Sequence, residues 1–274
     1  MRWRWVVIML AAALVCAVGV GGYVLVEKVK TALRVDECTV ALPADSLSLD
    51  LDQAANAATI AAVAYRKKLP ARALVIAYAT AEQESHIENL PFGDRDSVGI
   101  FQQRPSQGWG RADQLQDPVY STNRFFDALV KVKDYEKRPL HDAAQRVQRS
   151  ADGSLYAQHE PMGKILAEGF GGTAPASVTC WYGEDPPRAA DATKALRELR
   201  RAFGSRMKTD AQGVDLPAGS PPAVGWSVAS WAVAHASRYG LTEVRHAGKK
   251  WTRSSGNDGW STDGAAPAEK VLLR

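Results

Sequence analysis

The residues best suited to chemistry lie between Ala79 and Gly110, in the stretch ATAEQESHIENLPFGDRDSVGIFQQRPSQGWG. Glu84 and Ser85 close an alanine-rich segment, and Glu84 lies three residues after Ala81, at the border of an apolar helix face. A carboxyl there is partly desolvated, and desolvation favours the protonated form that a general acid needs. From spacing alone, a solvated glutamate near a helix end is the simpler interpretation.

Two further carboxylates follow in the turn-rich loop after this segment. Asp94 and Asp96 could face Glu84 and activate a water molecule, since paired carboxylates about 6.5–9.5 Å apart are typical of inverting glycosidases. The alternative is that both aspartates form turns, for which Gly-Asp and Asp-Ser pairs are well suited. Phe92 and Trp109 could stack on sugar rings or serve as core anchors.

Other kinds of site have little support in the sequence. The five histidines are scattered without a metal-ligand spacing, and neither a phosphate-binding glycine loop nor a Gly-x-Ser-x-Gly motif occurs. We therefore expect no metal and no organic cofactor. The net charge of +4 is too small to indicate a nucleic-acid partner.

The order of these residues resembles that of the soluble lytic transglycosylase and goose-type lysozyme superfamily. The run Ala-Glu-Gln-Glu-Ser (81–85) precedes Gly-Ile-Phe-Gln (99–102), which stands where that family has a Gly-Leu-Met-Gln-like segment. Further on, Val-Gln-Arg-Ser-Ala (147–151), Tyr156 and His-Glu-Pro-Met (159–162) look like a membrane-anchored form of the domain in actinobacterial cell-surface proteins. The resemblance covers residues 55–172, and the family's Ala-Tyr-Asn motif is absent.

The resemblance implies a role for each matching residue. Glu84 would be the catalytic acid and base, and Ser85 would buttress the helix end or the carboxylate. Gln102 and Gln103 would line a glycan groove, where amide groups offer donors and acceptors to sugar hydroxyls. Tyr156 would contact the acid from across the cleft.

The implied substrate is the β-1,4 bond between N-acetylmuramic acid and N-acetylglucosamine in peptidoglycan strands. A lytic transglycosylase is the leading expectation, and an inverting lysozyme-type hydrolase is the alternative. The third interpretation is a non-catalytic protein that binds the cell wall, or that belongs to a wall-assembly or secretion apparatus. Its partner would then be the wall or that machinery.

The N-terminus predicts a membrane segment. Arg2 and Arg4 precede an uncharged run of about 22 residues, which is long enough to cross a bilayer as a helix. A cleaved signal peptide is the alternative, although its apolar core is usually shorter. We expect residues 1–30 to anchor the chain in the cell membrane with the remainder outside the cytoplasm.

The fold class expected is mainly α. After the anchor, residues 31–50 read as a stalk, and 51–180 as an all-α, lysozyme-like domain. Within that domain Asp117 and Pro118 are typical of a helix start. Residues 181–222 combine a charged helix with a linker. Residues 223–274 predict a small α/β module that opens with an amphipathic helix and in which Trp251 and Trp260 could form an exposed platform.

Two cysteines outside the apolar run flank the proposed domain. Cys38 and Cys180 could pair in an oxidising extracytoplasmic compartment. Two independent thiols are the alternative.

Overall fold

A computed structural model of the 274-residue chain describes residues 35–149, 152–183 and 189–274. The predicted membrane anchor at residues 1–30 lies outside these ranges. Within them, no helix has both the length and the apolar character that a bilayer crossing requires.

The fold is mixed α/β, and helices make up most of its regular secondary structure. The α-helices are α1 (Leu51–Arg66), α2 (Ala71–Ser85), α3 (Ala112–Leu115), α4 (Pro118–Leu129), α5 (Leu140–Gln148), α6 (Glu160–Gly171), α7 (Ala192–Phe203), α8 (Pro222–Ala234) and α9 (Ala236–Tyr239). Short 3-10 helices cover Pro105–Gln107, Ser154–His159 and Arg253–Asp258.

Two antiparallel sheets complete the fold. The strands are β1 (Glu37–Ala41), β2 (Ser46–Leu49), β3 (Val178–Trp181), β4 (Lys208–Asp210), β5 (Gly213–Asp215), β6 (Glu243–His246), β7 (Lys249–Thr252), β8 (Ser261–Thr262) and β9 (Lys270–Leu273). The smaller sheet has the order β2-β1-β3, and the larger one has the order β4-β5-β9-β6-β7-β8.

The strands of the smaller sheet come from the two ends of the helical region in sequence. Their presence contradicts two expectations from the sequence. Residues 37–49, part of the predicted stalk, form β1 and β2, and the region expected to be all α ends in β3. Cys38 is directly opposite Cys180 in the β1–β3 register, and the two form a disulfide. The predicted pairing is therefore present, and it joins strands 142 residues apart in sequence.

Alanine dominates the central pair of helices, α1 and α2. In α1 every side chain from Ala54 to Ala64 is buried, and in α2 the same holds from Ala73 to Ala81. Small side chains let α1 lie close to its neighbours, so that the Tyr78 hydroxyl of α2 donates to the Ala57 carbonyl over 2.9 Å. The packing of α1 against α2 therefore fixes the position of α2, the helix that carries Glu84.

Helix α4 begins as the sequence predicts. Asp117 is the N-cap, its carboxylate accepts from the Val119 amide at 2.9 Å, and Pro118 occupies the first turn. The same carboxylate pairs with Arg201 of α7. The charged helix α7 is therefore tied to the start of α4.

Helix α8 differs from its prediction as an amphipathic helix. All its residues from Val224 to Ala234 are buried, because α8 packs against α1 and α6 on one side and against β6 and β9 on the other. Gly172, at the end of α6 with φ of 81°, makes this contact close, since a Cβ there would lie 2.0 Å from the Ala223 carbonyl oxygen. The described residues 37–149, 152–182 and 189–274 form one compact unit.

The expected tryptophan platform is wrong for Trp251. Its side chain is fully buried, in edge contact with Tyr182. Trp260 is half-buried and donates its indole N–H to the Val178 carbonyl of β3 at 2.8 Å. Trp251 therefore belongs to the core, and Trp260 packs edge-on against Trp226 of α8, with ring centroids 5.3 Å apart.

Candidate active site

Glu84 lies in the last turn of α2, where the backbone adopts an unusual conformation. His86 and Ile87 follow with φ of 54° and 60°, in the left-handed region that β-branched residues rarely enter. Two side chains of α1 hold this turn: Gln53 donates to the His86 carbonyl and buried Asn56 donates to the Ile87 carbonyl, each at 2.8 Å. The helix therefore stops at a fixed point and presents Glu84 half-buried at its end.

Tyr156 contacts Glu84 as the resemblance implies. Its ring is buried in the 3-10 helix Ser154–His159, and its hydroxyl donates to Glu84 Oε1 over 2.6 Å. That length is typical of a hydrogen bond to a carboxylate. In the described parts of the chain, no hydrogen-bond donor contacts the second oxygen of Glu84, Oε2.

Ser85 links the end of α2 to the Gly-Ile-Phe-Gln segment. It is buried, and its hydroxyl donates to the Ile100 carbonyl at 2.7 Å, with the Ala81 carbonyl at 3.2 Å. The hydroxyl is thus used inside the protein. The structure brings Ser85 to the site as a residue that positions the two motifs, and not as one that faces a ligand.

The segment from Val98 to Gln103 is a tight loop whose ends pair through their backbones. Gly99 has a φ of 81°, and a Cβ there would meet the Leu115 carbonyl oxygen at 2.4 Å. Both facts require glycine at this position. The loop carries Gln102 and Gln103 to the same face as Glu84.

The two glutamines occupy different environments. Gln102 is half-exposed, and its amide nitrogen donates to the carbonyls of Gly99 at 3.2 Å and Phe92 at 3.3 Å. Gln103 is 1% exposed and donates to the Ser121 carbonyl at 3.1 Å. Its Oε1 is buried without a donor among the residues described.

Asp94 and Asp96, the two candidates for a second carboxylate, lie in different environments. Asp96 accepts from Arg104 Nε at 2.8 Å, from the Ser106 amide at 2.7 Å and from the Ser106 hydroxyl at 3.0 Å. The Arg104 guanidinium and both Ser106 donors hold the pKa of Asp96 well below its usual range. Asp94 has an 89% exposed side chain, with Arg95 Nε 3.9 Å away. Only Asp94 of the two lines the cleft beside Glu84.

These residues surround one cleft of about 370 Å³. Its lining is mostly polar: Glu84, Asp94, Ser97, Gln102, Gln103, Arg104, Gln107, Trp109, Gln148 and Arg149. Amides and guanidinium groups beside the carboxyls of Glu84 and Asp94 suit a ligand rich in hydroxyl and acetamido groups. Trp109 is 9% exposed and presents part of its ring to the cleft, whereas Phe92 is 68% exposed.

Two lining residues come from a part of the chain that supplied no candidate. Gln148 ends α5 and donates to the Phe101 carbonyl at 2.8 Å, and Arg149 follows with a φ of 55°. Their run, Val147 to Ala151, carried part of the resemblance, but a glutamine and an arginine at a helix end are common on surfaces. Only the packing of α5 against the loop assigns them to the cleft.

Acidic and thiolate metal ligands do not gather at the cleft. Across residues 35–149, 152–183 and 189–274, no three His, Cys, Asp or Glu side chains lie close enough together to hold a metal ion. When the chain is compared with known protein families and with curated proteins, neither comparison finds a match.

Proposed function

We propose that the protein is a peptidoglycan-cleaving glycosidase that acts on the β-1,4 bond between N-acetylmuramic acid and N-acetylglucosamine, with Glu84 as acid and base. The hydrogen bond between Tyr156 and Glu84, inside a polar cleft walled by the Gly99–Gln103 loop, is the observation that carries the proposal. This hydrogen bond holds the Glu84 carboxyl in one orientation through Oε1, and we infer that its other oxygen, Oε2, transfers the proton.

The reaction proposed is lytic transglycosylation. Glu84 donates its proton to the glycosidic oxygen, and the bond from that oxygen to C1 of the muramic acid breaks. The resulting carboxylate then takes the proton of the C6 hydroxyl as that oxygen bonds to C1, which gives a 1,6-anhydro end and consumes no water. Tyr156 favours the first step, because its hydroxyl stabilises the carboxylate that this step leaves, and in both steps it holds the carboxyl in one orientation.

An inverting hydrolase is the alternative, and the aspartates favour the first reaction over it. Hydrolysis with inversion needs a second carboxylate to activate water. Asp96 accepts hydrogen bonds from Arg104 and Ser106, and it does not line the cleft. Asp94 lines the cleft but is exposed and loosely held. Transglycosylation, which uses one carboxyl, fits this arrangement better.

The location proposed is the cell membrane, with the N-terminal segment as a single-pass anchor and the cleft outside the cytoplasm. The disulfide between Cys38 and Cys180 supports an oxidising compartment. N-terminal sequencing of the mature protein tests whether the anchor is retained or cleaved.

The central experiment compares the full-length protein with its Glu84→Gln variant on purified peptidoglycan. We expect the wild type to release muropeptides whose masses show anhydro ends, and the variant to release none. Products with reducing ends that disappear in Asp94→Asn would instead indicate the hydrolase. If wild type and variant both bind the wall and release nothing, the protein is a non-catalytic wall-binding or assembly component.

A further inference from the structure

The cleft that contains Glu84 continues into two further depressions. The first, about 320 Å³, shares Gln107, Trp109 and Arg149 with the cleft. The second, about 640 Å³, shares Lys131, Val132, Arg146 and Arg149 with the first. Because neighbouring depressions share walls, they form one groove that runs away from Glu84. We call the part beyond Trp109 the basic extension, after its cations Arg124, Lys131, Lys133, Arg138, Arg146 and Arg149.

The charges of the basic extension are unbalanced. Its six cations face two carboxylates, Asp127 and Asp142. Asp127 is 2.7 Å from Lys67 Nζ, and Asp142 pairs with Arg138 at 2.6 Å and with Arg146 at 2.8 Å. Both anions are therefore neutralised locally, and the excess positive charge of the groove remains.

Four of the cations are left for a ligand. Within the described ranges, Arg124, Lys131, Lys133 and Arg149 make no salt bridge to a carboxylate. Arg124 is half-buried, and its guanidinium is fixed by hydrogen bonds to the carbonyls of Trp109 at 2.8 Å and Gly108 at 3.1 Å. A fixed guanidinium beside exposed lysines is suited to binding anionic groups that are spaced along a chain.

We propose that the basic extension binds the carboxylates of the peptide stems carried by the glycan strand. This inference rests on the proposed function, because a strand seated in the Glu84 cleft brings its substituents into the adjoining groove. Each stem is attached to the lactyl group of muramic acid and bears free carboxylates. The groove thereby selects peptide-bearing strands over bare glycan.

Lys131 and Lys133 offer the cleanest test because both are exposed and their only hydrogen bonds among the described residues are made by the backbone, which an alanine retains. The double variant Lys131→Ala/Lys133→Ala removes two charges from the groove. The matched control is Lys137→Ala/Lys208→Ala, which removes two exposed lysines that do not line the groove. Both variants have the same net charge, so a general electrostatic effect would appear equally in the two.

Binding is measured by co-sedimentation of full-length protein carrying Glu84→Gln, so that the substrate stays intact. The substrates are whole sacculi, sacculi stripped of phosphodiester polymers, and glycan strands stripped of peptides. We expect the groove variant to bind the first two about tenfold more weakly than the control, and peptide-free strands equally well. The difference should shrink as salt rises.

Three results would overturn the inference: an equal loss with the control variant, an equal loss on peptide-free strands, or a difference that vanishes when only the phosphodiester polymers are removed. The last would assign the groove to those polymers. Cleavage without selectivity for peptide-bearing strands removes this inference and leaves the proposed function. Selective binding without cleavage by the wild type removes the proposed function alone.

Discussion

The hydroxyl of Tyr156 lies 2.6 Å from Oε1 of Glu84, although 72 residues separate the two in sequence. Two segments create the contact. The end of α2 fixes the carboxyl, and the 3-10 helix Ser154–His159, in which only the Tyr156 side chain is buried, holds the ring. Because both partners are held by their own surroundings, the hydrogen bond orients the carboxyl before any ligand arrives.

The first prediction concerns the Tyr156 hydroxyl. Tyr156→Phe should lower kcat for peptidoglycan cleavage about 10–100-fold, since a hydrogen bond to a charged group contributes about 1.5–3 kcal/mol. KM should change little, because the hydroxyl contacts the acid and not the ligand. Steady-state cleavage of soluble, uncross-linked peptidoglycan strands measures both constants.

Tyr120→Phe is the control for that substitution, since its ring lies outside the cleft lining. It should keep wild-type kcat. A Tyr156→Phe protein with unchanged kcat and a raised KM would show that the hydroxyl binds substrate and that the orienting role is wrong.

The second prediction concerns Asp96 and pH. The pKa of Asp96 is depressed in the folded protein by Arg104 and Ser106, whereas an unfolded aspartate titrates near about 3.9. Its contribution to stability is therefore present above about pH 4 and is lost as the pH falls through the folded value. Asp96→Asn should lower Tm at neutral pH, and its Tm should converge with that of the wild type in acid.

Thermal melts of both proteins between about pH 7 and pH 2 test this. Asp94→Asn is the control, because Asp94 is exposed and has only Arg95 at 3.9 Å. Its Tm should match the wild type at every pH. A constant difference between Asp96→Asn and the wild type down to the lowest pH would contradict the assigned hydrogen bonds.

Local patterns predicted much of the helical part of the fold. The cap at Asp117 with Pro118 behind it places the start of α4, and the charged periodic segment becomes α7. Strands β1, β2 and β3 escaped prediction because each has only four or five residues, too few for alternation to stand out. Helix α8 was expected to be amphipathic, and its burial on every side depends on partners distant in sequence.

The candidate site divides in the same way. Spacing alone favoured a solvated glutamate at position 84, and the resemblance of the two motifs around Glu84 and Gly99 pointed to them and added Tyr156. Asn56 and Arg149 had no such signal. Each acts through a contact made by tertiary packing: Asn56 reaches a carbonyl 31 residues away, and Arg149 reaches the cleft only after α5 has packed.

The third prediction concerns the disulfide between Cys38 and Cys180. Cys38→Ala/Cys180→Ala should lower the free energy of unfolding by about 2–5 kcal/mol, because the bond closes a long loop in the unfolded chain. Urea unfolding with and without reductant measures this, and reduced wild type should approach the double variant. Cys16→Ala is the control, because it removes the third cysteine and leaves the Cys38–Cys180 disulfide intact. Wild type with the same midpoint in both conditions would show that the bond is absent.

The fourth prediction concerns Asn56, which supports the acid from behind. Asn56→Ala should lower the free energy of unfolding by about 1–3 kcal/mol, because it leaves the buried Ile87 carbonyl without a donor. It should also lower kcat with little change in KM, since the left-handed turn at His86 and Ile87 sets the direction of Glu84.

Gln53→Ala is the control, because it removes two equally short but exposed bonds, one to the neighbouring His86 carbonyl and one from the Asp50 amide at the start of α1. Water can replace both bonds, so we expect a loss of no more than about 1 kcal/mol and nearly unchanged kcat. Equilibrium unfolding and initial rates of cleavage of soluble peptidoglycan strands, measured below the unfolding transition, separate stability from positioning. If Asn56→Ala loses stability but keeps full kcat, the turn holds the fold together without directing the carboxyl, and the orientation of Glu84 must depend on Tyr156 alone.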